Sequence, residues 1–152
     1  MAGDKWIYMG KAVIKTTTES FLSAFKNQIK GEVQGDAYSL GLYATDASVY
    51  QMTPKVVITP KDEEDVLNAL KIAQEHKLNI LPRGGGTSLA GQTVGDALVL
   101  DFSRHMNQVL ELNVKEKWVR VQPGMVRDEL NAFLKPHGLH FAPDPATSSR
   151  AN

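Results

Sequence analysis

The residues of this sequence best suited to chemistry stand together in one run, Pro82-Arg83-Gly84-Gly85-Gly86-Thr87-Ser88-Leu89-Ala90-Gly91-Gln92. Three successive glycines let the backbone pass through conformations closed to residues with a Cβ, so neighbouring amide N–H groups are able to converge on one point. Such a nest suits an oxyanion, above all a phosphate, and Thr87 and Ser88 add hydroxyl donors beside it. A tight turn after a strand is the alternative meaning of the cluster, because glycines also punctuate turns. Two nucleotide motifs come close and fail. Counted from Gly84, the dinucleotide pattern finds Gly86 and then Leu89 where its third glycine belongs. Counted from Gly86, the Walker A pattern finds Gly91 and Thr93, but Gln92 replaces the lysine that reaches the terminal phosphates, and an NTPase depends on that charge.

Other candidate groups offer less. His76 closes a helix, His105 follows Arg104 in a loop, and His137 and His140 flank Gly138-Leu139. Pro136 and Gly138 imply irregular backbone there, not the helix on which a spaced histidine pair would share a metal, so no metal site is expected. Asp46, between Tyr43 and Tyr50, reads as an acceptor that fixes its own loop and not as a general base, and Trp6 and Trp118 read as packing residues. The absence of cysteine excludes disulfides, thiolate nucleophiles, iron–sulfur ligation and Cys-based zinc sites within these 152 residues. Basic and acidic side chains balance at 17 each, which leaves no global field for nucleic acid or an anionic membrane. No apolar run approaches the roughly 18 to 20 residues of a membrane span, and no signal-peptide block follows Asp4 and Lys5, so a cytoplasmic chain is expected.

The elements that must hold the glycine run are legible on both sides of it. Val56-Val57-Ile58, bounded by Pro54 and Pro60, reads as a buried strand over 55–59. Asp62 caps a helix whose Glu63, Glu64 and Asp65 suit its positive end and whose Val66, Leu67, Ala69, Leu70, Ile72 and Ala73 supply an apolar face. A second strand over 79–82 leads into the glycines, which makes 55–82 a βαβ unit with parallel strands and a right-handed crossover; ligands of such units gather at the carboxyl ends of the strands. Three more strands are predicted over 97–102, 109–113 and 118–122, the last two joined as a hairpin through Lys115-Glu116-Lys117. Pro123-Gly124 opens a helix with Val126, Leu130, Phe133 and Leu134 on one side, ended by Pro136 and Gly138, and 141–152 is a fixed loop. Upstream, Thr16 and Glu19 form a capping box for a helix carrying Phe21, Leu22, Phe25 and Ile29 and stopped at Gly31, while 32–50 reads as ordered loop. The fold class is therefore α/β, of α+β character, with a small mixed, partly parallel sheet flanked by helices. The expected organisation is an N-terminal helical extension over 1–40 and a domain over 41–152 that stops in mid-loop, as the first part of something longer.

Several blocks, kept in order, resemble a known family: the run Tyr43-Ala44-Thr45-Asp46-Ala47-Ser48-Val49-Tyr50, then 54–60, the glycine run, Leu98-Val99-Leu100-Asp101-Phe102-Ser103-Arg104, Val121-Gln122-Pro123-Gly124 and Pro143-Asp144-Pro145-Ala146-Thr147-Ser148. Together they resemble the N-terminal FAD-binding (PCMH-type) region of the vanillyl-alcohol oxidase flavoproteins, within which the glycolate oxidase and D-lactate dehydrogenase type is most similar. The resemblance implies that Arg83, Gly84, Gly85, Gly86, Thr87 and Ser88 wrap the FAD pyrophosphate through backbone amides, with Arg83 acting by its backbone. It implies further cofactor contacts at Gly91, Gln92, Gly124, Pro143, Asp144 and Ser148. Some members attach FAD through a histidine just after the paired glycines; Thr87 stands there, which implies noncovalent FAD. The implied reaction is two-electron oxidation of a small 2-hydroxy acid, with catalytic residues beyond Asn152 and a possible downstream iron–sulfur domain or subunit. A noncatalytic nucleotide- or flavin-binding module, or an interaction domain without cofactor, is the alternative.

Overall fold

A computed structural model describes residues 21–152. Its first helix there, α1 (residues 21–28), buries Phe21 and Phe25, four apart on one face, with their rings edge to face at 6.4 Å. The capping box at Thr16 and Glu19, and Trp6, lie outside the described residues. Past α1 the chain passes so close to Thr59 that a Cβ on Gly31 would overlap its carbonyl oxygen. The N–H groups of Lys30, Gly31 and Lys61 all donate to the buried carboxylate of Asp65, at 2.7, 2.9 and 2.8 Å. One acid thus satisfies three backbone donors and is itself satisfied by them, the condition on which a charged group is tolerated inside.

Residues 32–50 contain β1 (Glu32–Gln34) and α2 (Ala37–Leu42), which corrects the reading of this stretch as loop. Both elements are too short to display a period. The strand exists because it pairs antiparallel with β2 (Val56–Thr59), and α2 because Asp36 caps it, accepting from the Ser39 N–H at 2.9 Å. Residues 21–34 thereby share one core and one sheet with 56–101.

The main sheet runs β1-β2-β4-β3, with β3 (Ile80–Arg83) and β4 (Leu98–Asp101). Both strands of the βαβ unit are parallel to β4, which lies between them, so they do not pair with each other. Every residue of β2 and β4 is buried, as apolar runs covered on both faces require. The connecting helix α3 (Glu63–Glu75), capped by Asp62 and closed at His76, lays Ala69, Ile72 and Ala73 into the same apolar cluster as Val56, Ile58, Leu98 and Leu100. β5 (Val109–Asn113) and β6 (Trp118–Val121) form a separate antiparallel hairpin. Trp118 packs on the hairpin's surface, 37% exposed, with its indole N–H donated to Glu116 and Arg120 over its ring. Helix α4 (Arg127–Leu134) buries Leu130 and Leu134 and runs into a 3-10 turn at Lys135–His137, closed by Gly138 in the left-handed region.

Candidate functional site: a glycine cradle at the sheet's carboxyl end

Strand β3 delivers Arg83, and the three glycines follow at the carboxyl end of the parallel strands, where Arg83 lies in register with Asp101 of β4. Each glycine is required by a different neighbour. A Cβ on Gly84 would overlap the Asn152 side chain, one on Gly85 the carbonyl oxygen of Arg150, and one on Gly86 would sit 2.6 Å from Arg83 Nη2. Gly86 also has a φ of 65°, a conformation that L side chains rarely adopt.

The backbone donors of this loop are mostly uncommitted. Gly85 donates to Asn152 Oδ1 at 2.8 Å, but the N–H groups of Gly84, Gly86, Thr87 and Ser88 make no hydrogen bond among the described residues. They border two open cavities. One, of about 600 Å³, is lined by Gly85, Gly86 and Thr87 with Asp46, Thr147 and Arg150; the other, of about 350 Å³, by residues 84–88 with Thr93 and Asn152. Unspent N–H groups on a glycine loop, a threonine hydroxyl and a nearby guanidinium form a donor set matched to a diphosphate. Asp46 is the acid on this wall, and its charge is already committed: it accepts from Ser48 N–H and from the Thr93 hydroxyl, both at 2.9 Å. The Ser48 bond above all, with help from Thr93, holds its carboxyl down to about 2. Asp46 is accordingly a loop-fixing acceptor, as its sequence context implied.

Arg83 spends its side chain on the protein. Nη1 donates to the carbonyls of Tyr43 and Thr93 at 3.2 and 2.9 Å, Nη2 donates to that of Thr45 at 2.8 Å, and the guanidinium lies over the Tyr43 ring at 5.2 Å. The strap over 43–50 is further fastened to the loop by Ala47 N–H donating to Gly86 O at 3.2 Å. Beneath it, the Tyr43 hydroxyl donates to Asp101 Oδ2 at 2.6 Å, and Asp101, 7% exposed, also accepts the N–H and hydroxyl of Ser103. Burial, and then the bond to Asp101, push the Tyr43 phenol well above its ordinary range, so it stays a donor.

The remaining residues singled out in the sequence are placed differently. The Ser88 hydroxyl folds the loop onto itself, accepting from the N–H groups of Ala90 and Gln92 and bonding the Gln92 side chain. Gly91, at a φ of 74°, lies against the Tyr50 ring, and neither it nor Gln92 lines the two cavities. Gly124 joins the cradle through Asn152, whose Nδ2 donates to Gly124 O at 2.7 Å while its Oδ1 holds Gly85. Pro143, Asp144 and Ser148 are engaged with α4: Pro143 O and the Asp144 carboxylate take the Arg127 guanidinium, and the Ser148 hydroxyl donates to Asp128. Between them, Pro145, Ala146 and Thr147 face the larger cavity. Sequence reasoning missed Arg150 and Asn152, and the only signal for them was their place in the fixed final loop. Among the described residues no group of three or more His, Asp or Glu is arranged to hold a metal, and no helix is long and apolar enough to cross a membrane.

Comparison with known proteins identifies the family. Residues 54–152 match the FAD binding domain family. The chain is 47% identical over 135 residues to D-2-hydroxyglutarate dehydrogenase of Pseudomonas putida, covering 86% of this chain and 13% of that protein. It is 36% identical over 125 residues to glycolate oxidase subunit GlcD of Bacillus subtilis, covering 79% of this chain and 26% of that one. Among solved structures, 4-ethylphenol oxidase from Gulosibacter chungangensis superposes with a TM-score of 0.73 at 25% identity, over 86% of this chain and 27% of that one. The chain thus spans well under a third of the length of each of these relatives. With the family match covering most of its length and the glycine cradle at the carboxyl end of its parallel strands, the chain belongs to the FAD binding domain family.

Proposed function

We infer that this chain supplies the diphosphate cradle of a flavin-dependent dehydrogenase or oxidase acting on a D-2-hydroxy acid of the lactate, glycolate or 2-hydroxyglutarate class. The observation that carries the reading is the set of uncommitted N–H groups at Gly84, Gly86, Thr87 and Ser88, on a loop whose glycines the surrounding packing demands. Those residues, with the backbone of Arg83 and the Arg150 side chain, would hold the FAD diphosphate. Gly124 and Asn152 would keep Gly85 in place beside it. Gly91, Gln92, Pro143, Asp144 and Ser148 are proposed as more distant cofactor neighbours, on the family resemblance alone. The cofactor is noncovalent in this reading, because Thr87 offers no imidazole where covalent members carry one. Bound FAD supplies two-electron oxidation, taking hydride from the carbon that bears the substrate hydroxyl.

This chain's own part is to bind and orient: amide dipoles carry most of the diphosphate charge, and the Arg150 side chain supplements them. No residue described here is assigned to substrate. In the proposed organisation residues 41–152 form the cofactor-facing part, and 1–40 an extension whose described portion supplies strand β1 to the sheet. A cytoplasmic location and a downstream iron–sulfur module are proposed on the sequence reading only. The test is the complete protein purified and scanned for flavin absorbance, then mixed anaerobically with D-lactate, glycolate and D-2-hydroxyglutarate in turn. Bleaching of the flavin band by one of them, and release of all FAD on acid denaturation, is the expected result. A colourless protein that does not take up added FAD would refute the cofactor; a yellow protein bleached by none would leave a flavin-binding module without this activity.

A further inference from the structure

The chain of contacts that holds the cradle in shape begins at two groups that do not border it, Tyr43 and Asp101. Asp101 ends β4 as a buried carboxylate, anchored on one oxygen by Ser103 and receiving the Tyr43 hydroxyl on the other. Tyr43 in turn lies under the Arg83 guanidinium, which ties the carbonyls of Tyr43 and Thr45 at the start of the strap to that of Thr93 past the glycine run. From that strap Ala47 reaches Gly86 O, and Arg83 Nη2 fills the space that a Cβ on Gly86 would need. Neither Tyr43 nor Asp101 lines the two cavities beside residues 84–88. We propose that Tyr43 and Asp101 are positioning residues for the cofactor cradle, acting through Arg83 and the 43–47 strap to hold the Gly86 turn in its binding geometry.

The proposal rests on the FAD reading for its ligand, but the mechanical link does not. The alternative role for the pair is simple stability, in which any lesion of equal cost would serve as well. Coupling through packed and hydrogen-bonded groups becomes a physical claim only when a perturbation at one end is read at the other. Tyr43→Phe is suited to this, because it keeps the ring beneath Arg83 and removes only the hydroxyl that fixes it to Asp101. Ile72→Val, in α3 and buried in the core away from the strap, is the control for stability loss alone.

Both variants are made in the complete protein and read in two ways. Hydrogen exchange of the strap and glycine-loop peptides is followed without cofactor, and FAD affinity is then measured by flavin fluorescence. Losing a hydrogen bond to a charged acceptor is expected to change each readout by about tenfold. Tyr43→Phe should therefore speed exchange at the Ala47 amide and weaken FAD binding by about that factor. Ile72→Val should leave both within about twofold of wild type. Unchanged strap exchange in Tyr43→Phe overturns the proposal whether or not FAD binds, as does an equal change in Ile72→Val. Faster strap exchange in a protein whose wild type takes up no FAD would uphold the link and sink the cofactor reading alone. Faster exchange with FAD affinity unaltered in Tyr43→Phe would overturn the positioning role.

Discussion

Gly86→Ala places a methyl group where the structure has least room for it. The residue sits at a φ of 65°, and an L side chain there costs about 1–2 kcal/mol. The new Cβ would lie 2.6 Å from Arg83 Nη2, so the guanidinium must retreat and give up its 2.8 Å bond to Thr45 O. Losing this exposed bond from a charged donor adds about 1.5 kcal/mol, the low end for such bonds. Reduced freedom of the unfolded chain returns about 0.5 kcal/mol. The net cost is about 2–3 kcal/mol, and it must appear in one of two places. If the loop keeps its shape, the melting temperature falls by about 6–9 °C for a chain of this size while FAD affinity holds. If the loop yields, stability holds and the amides turn away from the ligand, which raises the FAD dissociation constant by about thirty- to a hundred-and-fiftyfold. Thermal melting of the apo form and fluorescence titration with FAD together account for the whole. A variant with an unchanged melting temperature and FAD affinity within about twofold would refute the steric reasoning and the assignment of the loop.

The other expectations concern separate parts of the molecule. Asp65→Ala strands the N–H groups of Lys30, Gly31 and Lys61 in the interior and should cost about 3–5 kcal/mol in urea unfolding; a loss below about 1 kcal/mol would contradict the three-bond account. Gly41→Ala, in α2 with open space around the added methyl, should stabilise by about 0.5–1 kcal/mol in the same assay, and any destabilisation would be evidence against the helix there. Asp46 has a folded-state carboxyl held down to about 2 from an ordinary 3.8, so its anchoring of the strap is complete above about pH 4 and lost as pH falls toward 2. Exchange at the Ser48 and Thr93 amides should accelerate over that window in wild type and show no such step in Asp46→Asn; identical profiles would exclude the carboxylate as the anchor.

The parts of the fold legible in the sequence were those with an uninterrupted signal. Val56-Val57-Ile58 between two prolines, and the Asp62-capped apolar stripe through Ala73, specify their strand and helix locally, and both formed where expected. The insertion of β4 between the strands of the βαβ unit was not legible, because strand order is decided by pairing across the sheet and leaves no trace in the period of any one strand. β1 was hidden for the same reason: three residues gain their structure from β2. At the site, the glycine triplet announced itself by composition, whereas the three carbonyls braced by the Arg83 side chain lie 10 to 40 residues away and leave no local signal. Arg150 and Asn152 were not visible, since they reach the cradle from a loop without periodicity, and only the folded chain brings Asn152 between Gly85 and Gly124.

The central claim is that backbone nitrogens of the loop after β3 hold a diphosphate, and a crystal structure of the complete protein with FAD bound addresses it directly. The account expects diphosphate oxygens at hydrogen-bond distance, about 3 Å, from at least three of the nitrogens of Gly84, Gly86, Thr87 and Ser88. Finding the diphosphate elsewhere, with those nitrogens bonded to protein carbonyls, would contradict it.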